Sequence, residues 1–210
     1  NSSITAAGAL TQTAIAHETI RAAVLAMSVA IAPGGVGVGV SGTGVVAVNM
    51  ISADIQAYIT GSSTVTADSV SLTANDTSQI MAFAGSASAA AAFGGVGVAV
   101  SIGAAIGHNM IDNDVTAYIL GSTVESTSGS ISVHAVERSQ INAVSAAASA
   151  AITVGGVAVS VSGAGAEASN VILTNTNGYI QNSSITSASD VNVTGESLPA
   201  TAPLGNLSVT

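Results

Sequence analysis

Histidine is the side chain that most readily changes charge near neutrality, and it serves as a general base or a metal ligand. The three histidines, His17, His108 and His134, occupy three different positions within the repeat that organises this chain. No Cys, Asp or Glu recurs beside them at a ligand spacing. They read as isolated polar positions on strands or turns. Asp112-Asn113-Asp114 looks like a fragment of an oxygen-ligand calcium loop. The equivalent positions of the other copies hold Ser52-Ala53-Asp54 and Thr174-Asn175-Thr176, so a turn is expected there in place of a metal site. The glycine-rich stretches lack the Gly-Lys-Ser/Thr of a phosphate loop, and the chain contains no lysine. Asn75-Asp76-Thr77 and Asn192-Val193-Thr194 fit the glycosylation pattern but read as turns or strand edges in so Ser- and Thr-rich a chain. These residues offer no catalytic set, no cofactor site and no metal site, and an enzyme is not expected.

What does recur is structural. All three tyrosines, Tyr58, Tyr118 and Tyr179, sit at one place in a repeat of about 60 residues, and Asn49, Asn109 and Asn170 keep the same step. So do the glycine pairs Gly34-Gly35, Gly94-Gly95 and Gly155-Gly156, which read as corners. If equivalent positions are near neighbours, the asparagine amides can hydrogen-bond in a ladder and the tyrosine rings can stack. A repeat this regular implies one supersecondary unit stacked on itself, because a single unit cannot bury its own apolar faces. The organisation expected is a partial repeat over 1–17, repeats over 18–76, 77–137 and 138–197, and a tail or linking strand over 198–210. Asn1-Ser2-Ser3-Ile4-Thr5 is identical to Asn182-Ser183-Ser184-Ile185-Thr186, and no initiator Met or signal-like segment precedes it. A processed or excised piece of something longer is expected, with 205–210 able to form a further strand.

Within a copy, Val96, Val98 and Val100 alternate with Gly97, Ala99 and Ser101, and the other two copies agree. A period of two is that of a strand. The alanine-rich run before each glycine pair suits a helix by propensity. Yet every second position is small in all three copies, as in Ala22, Ala82, Ala143 and Ser28, Ser88, Ser149, which favours a strand. Each copy is thus expected to hold two long strands around a Gly-Gly corner, followed by short strands separated by polar turns. The small face suits a very narrow interior where backbones approach closely. The other face is too apolar for water. Either the polar short strands fold over it or the sheet self-associates.

Of 210 residues 48% are hydrophobic, 6% charged and 2% aromatic, so the core must be built from Ala, Val, Ile and Gly. A net charge of −9, with Arg21 and Arg138 the only Lys or Arg, removes the basic surface that nucleic acid requires. The absence of cysteine permits export. The stretches 22–53, 77–111 and 139–166 carry no formal charge and are long enough to span a bilayer. They lack flanking cations and aromatic belts, and their period argues against transmembrane helices.

Gly94-Gly95-Val96-Gly97-Val98-Ala99-Val100-Ser101 is followed by Asn109-Met110-Ile111 and Thr116-Ala117-Tyr118-Ile119. Ser122-Thr123-Val124 and Ser130-Ile131-Ser132-Val133 come next. This succession resembles the repeats of very large secreted bacterial filamentous, haemagglutinin-like adhesins, including the leukotoxin-type group. The resemblance implies a parallel β-helix, export to the bacterial cell surface and adhesive or filament-forming behaviour. The chain departs from it in its short length and its start within a repeat, which leaves room for a self-assembling subunit. The reading is an all-β parallel β-solenoid acting as a structural element of an extracellular filament or cell-surface adhesin, its partners copies of itself. No motif marks a host or surface ligand. The rivals are a membrane-active toxin segment and a ligand-binding solenoid. An ice-binding solenoid would need a flat Thr-x-Thr array, whereas the Ser and Thr here are scattered.

Overall fold

The computed structural model describes residues 2–199. Residues 200–210, which include the further strand suggested for 205–210, lie outside the described residues. The protein is an all-β parallel solenoid in which each repeat makes one coil. The first coil comprises β1 (Ser3–Thr5), β2 (Leu10–Pro33) and β3 (Val36–Ile59). Next come β4 (Thr64–Ala67), β5 (Val70–Leu120), β6 (Thr123–Ser126) and β7 (Ile131–Gln181), and finally β8 (Ser184–Ser187) and β9 (Val191–Pro199). All pairings are parallel: β1, β4, β6 and β8 form one stack, and β2, β5, β7 and β9 another, with β3 on the second half of β5.

In β5 and β7 the chain turns back at the glycine pair while the ladder runs up to it and resumes directly after it, so each coil has two long limbs. Limb A leads to the corner (10–33, 70–93, 131–154) and limb B leaves it (36–59, 96–119, 157–180). At about 3.3 Å per residue, 24 residues give a limb of about 80 Å. The limbs lie back to back, as hydrogen bonds between Ser28 and Ser41 and between Ser88 and Ser101 show. Register is kept although the repeat length varies. The turn 127–130 is longer than the turn 68–69, and the extra residues stay outside the ladder.

Side-chain size tapers along the limbs. At the broad end the short strands supply Val65 and Val124, which pack with Val70, Leu72, Val115, Ile119, Ile131 and Val133 into the largest core cluster. Midway, Ile51, Ile80 and Ile111 form a second cluster. Towards the corner only Ala90, Ala92 and Ala99 remain. The result is a broad base and a thin blade.

The corner glycines have a local cause. Gly34 and Gly94 adopt φ of 151° and 157°, where side chains are rarely tolerated, and a Cβ on Gly94 would collide with the Gly34 carbonyl oxygen. Inside the blade, a Cβ on Gly37 would lie 2.6 Å from the Ala32 carbonyl oxygen, and one on Gly103 2.7 Å from that of Ala148. Close approach of the two limbs is what requires glycine there.

The structure differs from expectation in two places. Limb A begins at Leu10, Val70 and Ile131, well before the alanine-rich run, because Val70, Leu72 and Ala74 already alternate with outward polar residues. Asp112-Asn113-Asp114, expected as a turn, is extended strand within β5; buried Asn113 points inward between two outward aspartates. The third-copy equivalent is Leu173-Thr174-Asn175, one residue earlier than expected, because the step from the second copy to the third is 61 residues there. Of the two outcomes left open for the apolar outer face, cover by the polar short strands is not seen: they close the broad end and leave the outer faces of the blade bare.

Candidate functional site

Sharing one coil per repeat brings equivalent side chains to rung spacing. The asparagines sit on the inner side of limb B. Asn49 Nδ2 donates to Asn109 Oδ1 at 2.8 Å, and Asn109 Nδ2 donates to Asn170 Oδ1 at 2.8 Å. Asn109 is 2% exposed, so the column runs through the interior with its amides satisfied along the axis. The tyrosines lie on the outer side of limb B near the broad end. Tyr58 and Tyr118 have ring centroids 5.1 Å apart at 12°, and Tyr118 and Tyr179 5.0 Å apart at 6°. Burial of Tyr118 between its neighbours raises its phenol above the ordinary value, with Tyr179, Tyr58 and Asp54 adding to the shift.

A buried acidic network lies between the limbs where the blade joins the base. Asp76 is fully buried. Asn113 Nδ2 donates to Asp76 Oδ2 at 2.7 Å and to Ser78 Oγ at 2.9 Å, and Ser78 Oγ reaches Glu18 Oε2 at 3.1 Å. Burial first and a hydrogen bond with Glu18 second push the Asp76 carboxyl up to about 6, against the opposing Ser78 and Asn113 bonds. One rung on, Glu137 is paired in register with Asp76 and is also buried, accepting from Ser139 Oγ and, at 3.0 Å, from Ser197 Oγ. Sequence reasoning missed this network. Its signal was present: Asp76 and Glu137 occupy one repeat position, each with a serine two residues on.

The histidines are not brought together. His17 and His108 are exposed on opposite limbs, and His134 lies at another level of limb A. Among the described residues no group of three or more His, Cys, Asp or Glu is arranged to hold a metal ion.

The most extensive feature is the bare surface of the blade. On limb A, Leu25, Met27, Val29 and Ile31 are exposed, with Met27 reaching 81%. On limb B, valines at three successive outward positions of each rung, beginning at Val36, Val96 and Val157, form an in-register array. Contiguous exposed apolar surface is a common feature of sites where proteins bind partners. No helix among the described residues is long and apolar enough to cross a membrane.

Fold and ladders together define a repeat solenoid with axial side-chain columns. Comparison with known proteins finds no matching family model, curated protein or solved structure.

Proposed function

We propose that the protein is a structural subunit or segment of an extracellular filament or bacterial surface adhesin, extended by stacking of further rungs. The supporting observation is the polarity of the asparagine column. Each amide donates towards the next repeat, so among the described residues Asn49 Oδ1 is left as an acceptor at one end and Asn170 Nδ2 as a donor at the other. A rung of this chain or of another copy that sets an asparagine in the next position continues the column in either direction. The outer edges of β3 and of limb B in β7 likewise carry no paired strand among the described residues, and such edges template strand addition. A ladder with unlike ends joins head to tail and yields an open assembly.

Electron microscopy of the purified protein, with fibre diffraction, tests this. Filaments with a meridional spacing near 4.8 Å are expected. Asn170→Leu should shorten them severalfold while the circular dichroism stays β. A protein that remains monomeric at high concentration, or filaments indifferent to Asn170→Leu, would overturn the proposal. A membrane-active segment is the second reading, favoured by the bare blade, and flotation with lipid vesicles tests it.

A further inference from the structure

The outer faces of the blade carry glycines that the chain itself does not require. An added Cβ would meet nothing within 4 Å at Gly44, Gly163 or Gly165, and at Gly42 only the Ile102 carbonyl oxygen at 3.8 Å. Glycine in a strand costs about 0.5–1 kcal/mol relative to alanine. The inner glycines are explained by limb-to-limb approach; these outer ones leave a hollow on face B, the outer surface of limb B.

The back-to-back register places that hollow. Because Ser28 bonds Ser41 through the blade, Met27 on face A lies at the same level as Gly42 on face B, and Leu25 at that of Gly44. The relation inverts in the next rung. Ser88 bonds Ser101, so Ala87 on face A is backed by Ile102 on face B, which is 57% exposed. At these levels face A is raised where face B is sunken, and sunken where face B is raised; nearer the corner both faces stand out together, as Val29 backed by Val40 and Ile31 by Val38. Two identical blades laid face A on face B, tilted enough for their broader bases to clear, bring Met27 of one over Gly42 of the other and Ile102 over Ala87.

Charge follows the same division. Arg21 and Arg138 both point outward from limb A, whereas Asp54, Asp112, Asp114 and Glu167 point outward from limb B. In the stacked arrangement Arg138 of one copy arrives opposite Leu173, whose register partner one rung away is Asp112. From the corner to the level of Arg21, about 14 residues per limb over three rungs give each face about 650 Å². A pair would then bury about 1,300 Å², within the range of stable specific interfaces.

We propose that the blades laminate, face A of one copy on face B of the next, so that one repeated contact between copies covers both bare surfaces. This contact is lateral and separate from axial rung addition. The absence of cysteine makes it directly testable. In a Met27→Cys, Gly42→Cys double variant the two thiols lie on opposite sides of one blade and cannot close within a chain. Sheets packed face to face stand about 10 Å apart, too far for a direct disulfide, so a short bismaleimide is the cross-linker. It is expected to give a ladder of dimers, trimers and higher species, and each single variant far less product. Ile102→Asp should weaken lateral association about tenfold or more, with β circular dichroism and axial filaments retained. Cross-linking by Met27→Cys alone as efficiently as by the pair would mean that face A meets face A, and would overturn the proposal. So would failure of the folded double variant to cross-link, or flotation of the folded protein on vesicles of phosphatidylcholine and phosphatidylglycerol in place of lateral association, which would make lipid the occupant.

Discussion

Asp76 is the residue whose chemistry is most altered by the fold. Its carboxyl ionises at 3.8 without perturbation and at about 6 in the folded protein, chiefly because burial disfavours the charge. The folded state therefore holds the proton more tightly. Below pH 3.8 both states carry it and the contribution to stability is most favourable. As pH rises through the window from 3.8 to 6 the unfolded state ionises first and stability is lost, fully so above 6. Asp76→Asn should keep an acceptor for Asn113 and supply a donor towards Glu18 without the charge. Thermal melts are expected to show the variant more stable at pH 7 by on the order of 1–2 kcal/mol, with little difference near pH 4. Equal destabilisation at both values would show that the ionised carboxylate is needed as an acceptor. This network was hard to foresee because Asp and Thr at 76 and 77 have the look of a surface turn. Only the register, which turns position 76 inward with Leu72 and Ala74, reveals its burial.

At the scale of the limb, glycine has two meanings that composition cannot separate. Gly103 faces the opposite limb, and a side chain there would strike the Ala148 backbone; Gly163 faces outward into open space. Gly103→Val should destabilise by about 1–3 kcal/mol or more through overpacking. Gly163→Val should leave the fold unchanged or slightly firmer, since it restricts the unfolded chain and favours a strand. Denaturant titration of the two variants separates them, and equal cost would refute the assignment of faces. The two-residue alternation made the limbs legible: Val96, Val98 and Val100 fall on one face, and Ala99 and Ser101 on the other, as the pattern requires. The strand identity of Asp112-Asn113-Asp114 was not legible, because turn-forming residues are overridden when a neighbouring rung pairs with their backbone on each side. Nor could the pattern show which face stays bare, since that depends on where the short strands close the coil.

For the whole molecule, one coil per repeat means that each rung touches only the rungs beside it. Stability then approximates a sum of rung terms and interfaces between rungs, so repeats can be removed or added as units. Deleting residues 77–137 is an in-register excision, because Thr77 and Arg138 are paired positions. Asp76 would take the place of Glu137 beside Ser139, and Tyr58 would come to stack on Tyr179. The shortened chain should retain β circular dichroism and melt at lower temperature, having lost one rung and one interface. Duplicating 77–137 should raise the melting temperature by a comparable step. Thermal melts of the three lengths test this, with the expected order being deletion, parent, duplication. A deletion protein that is wholly unfolded, together with a duplication no more stable than the parent, would show that the repeats fold as one indivisible core and that rung addition is no route to longer assemblies.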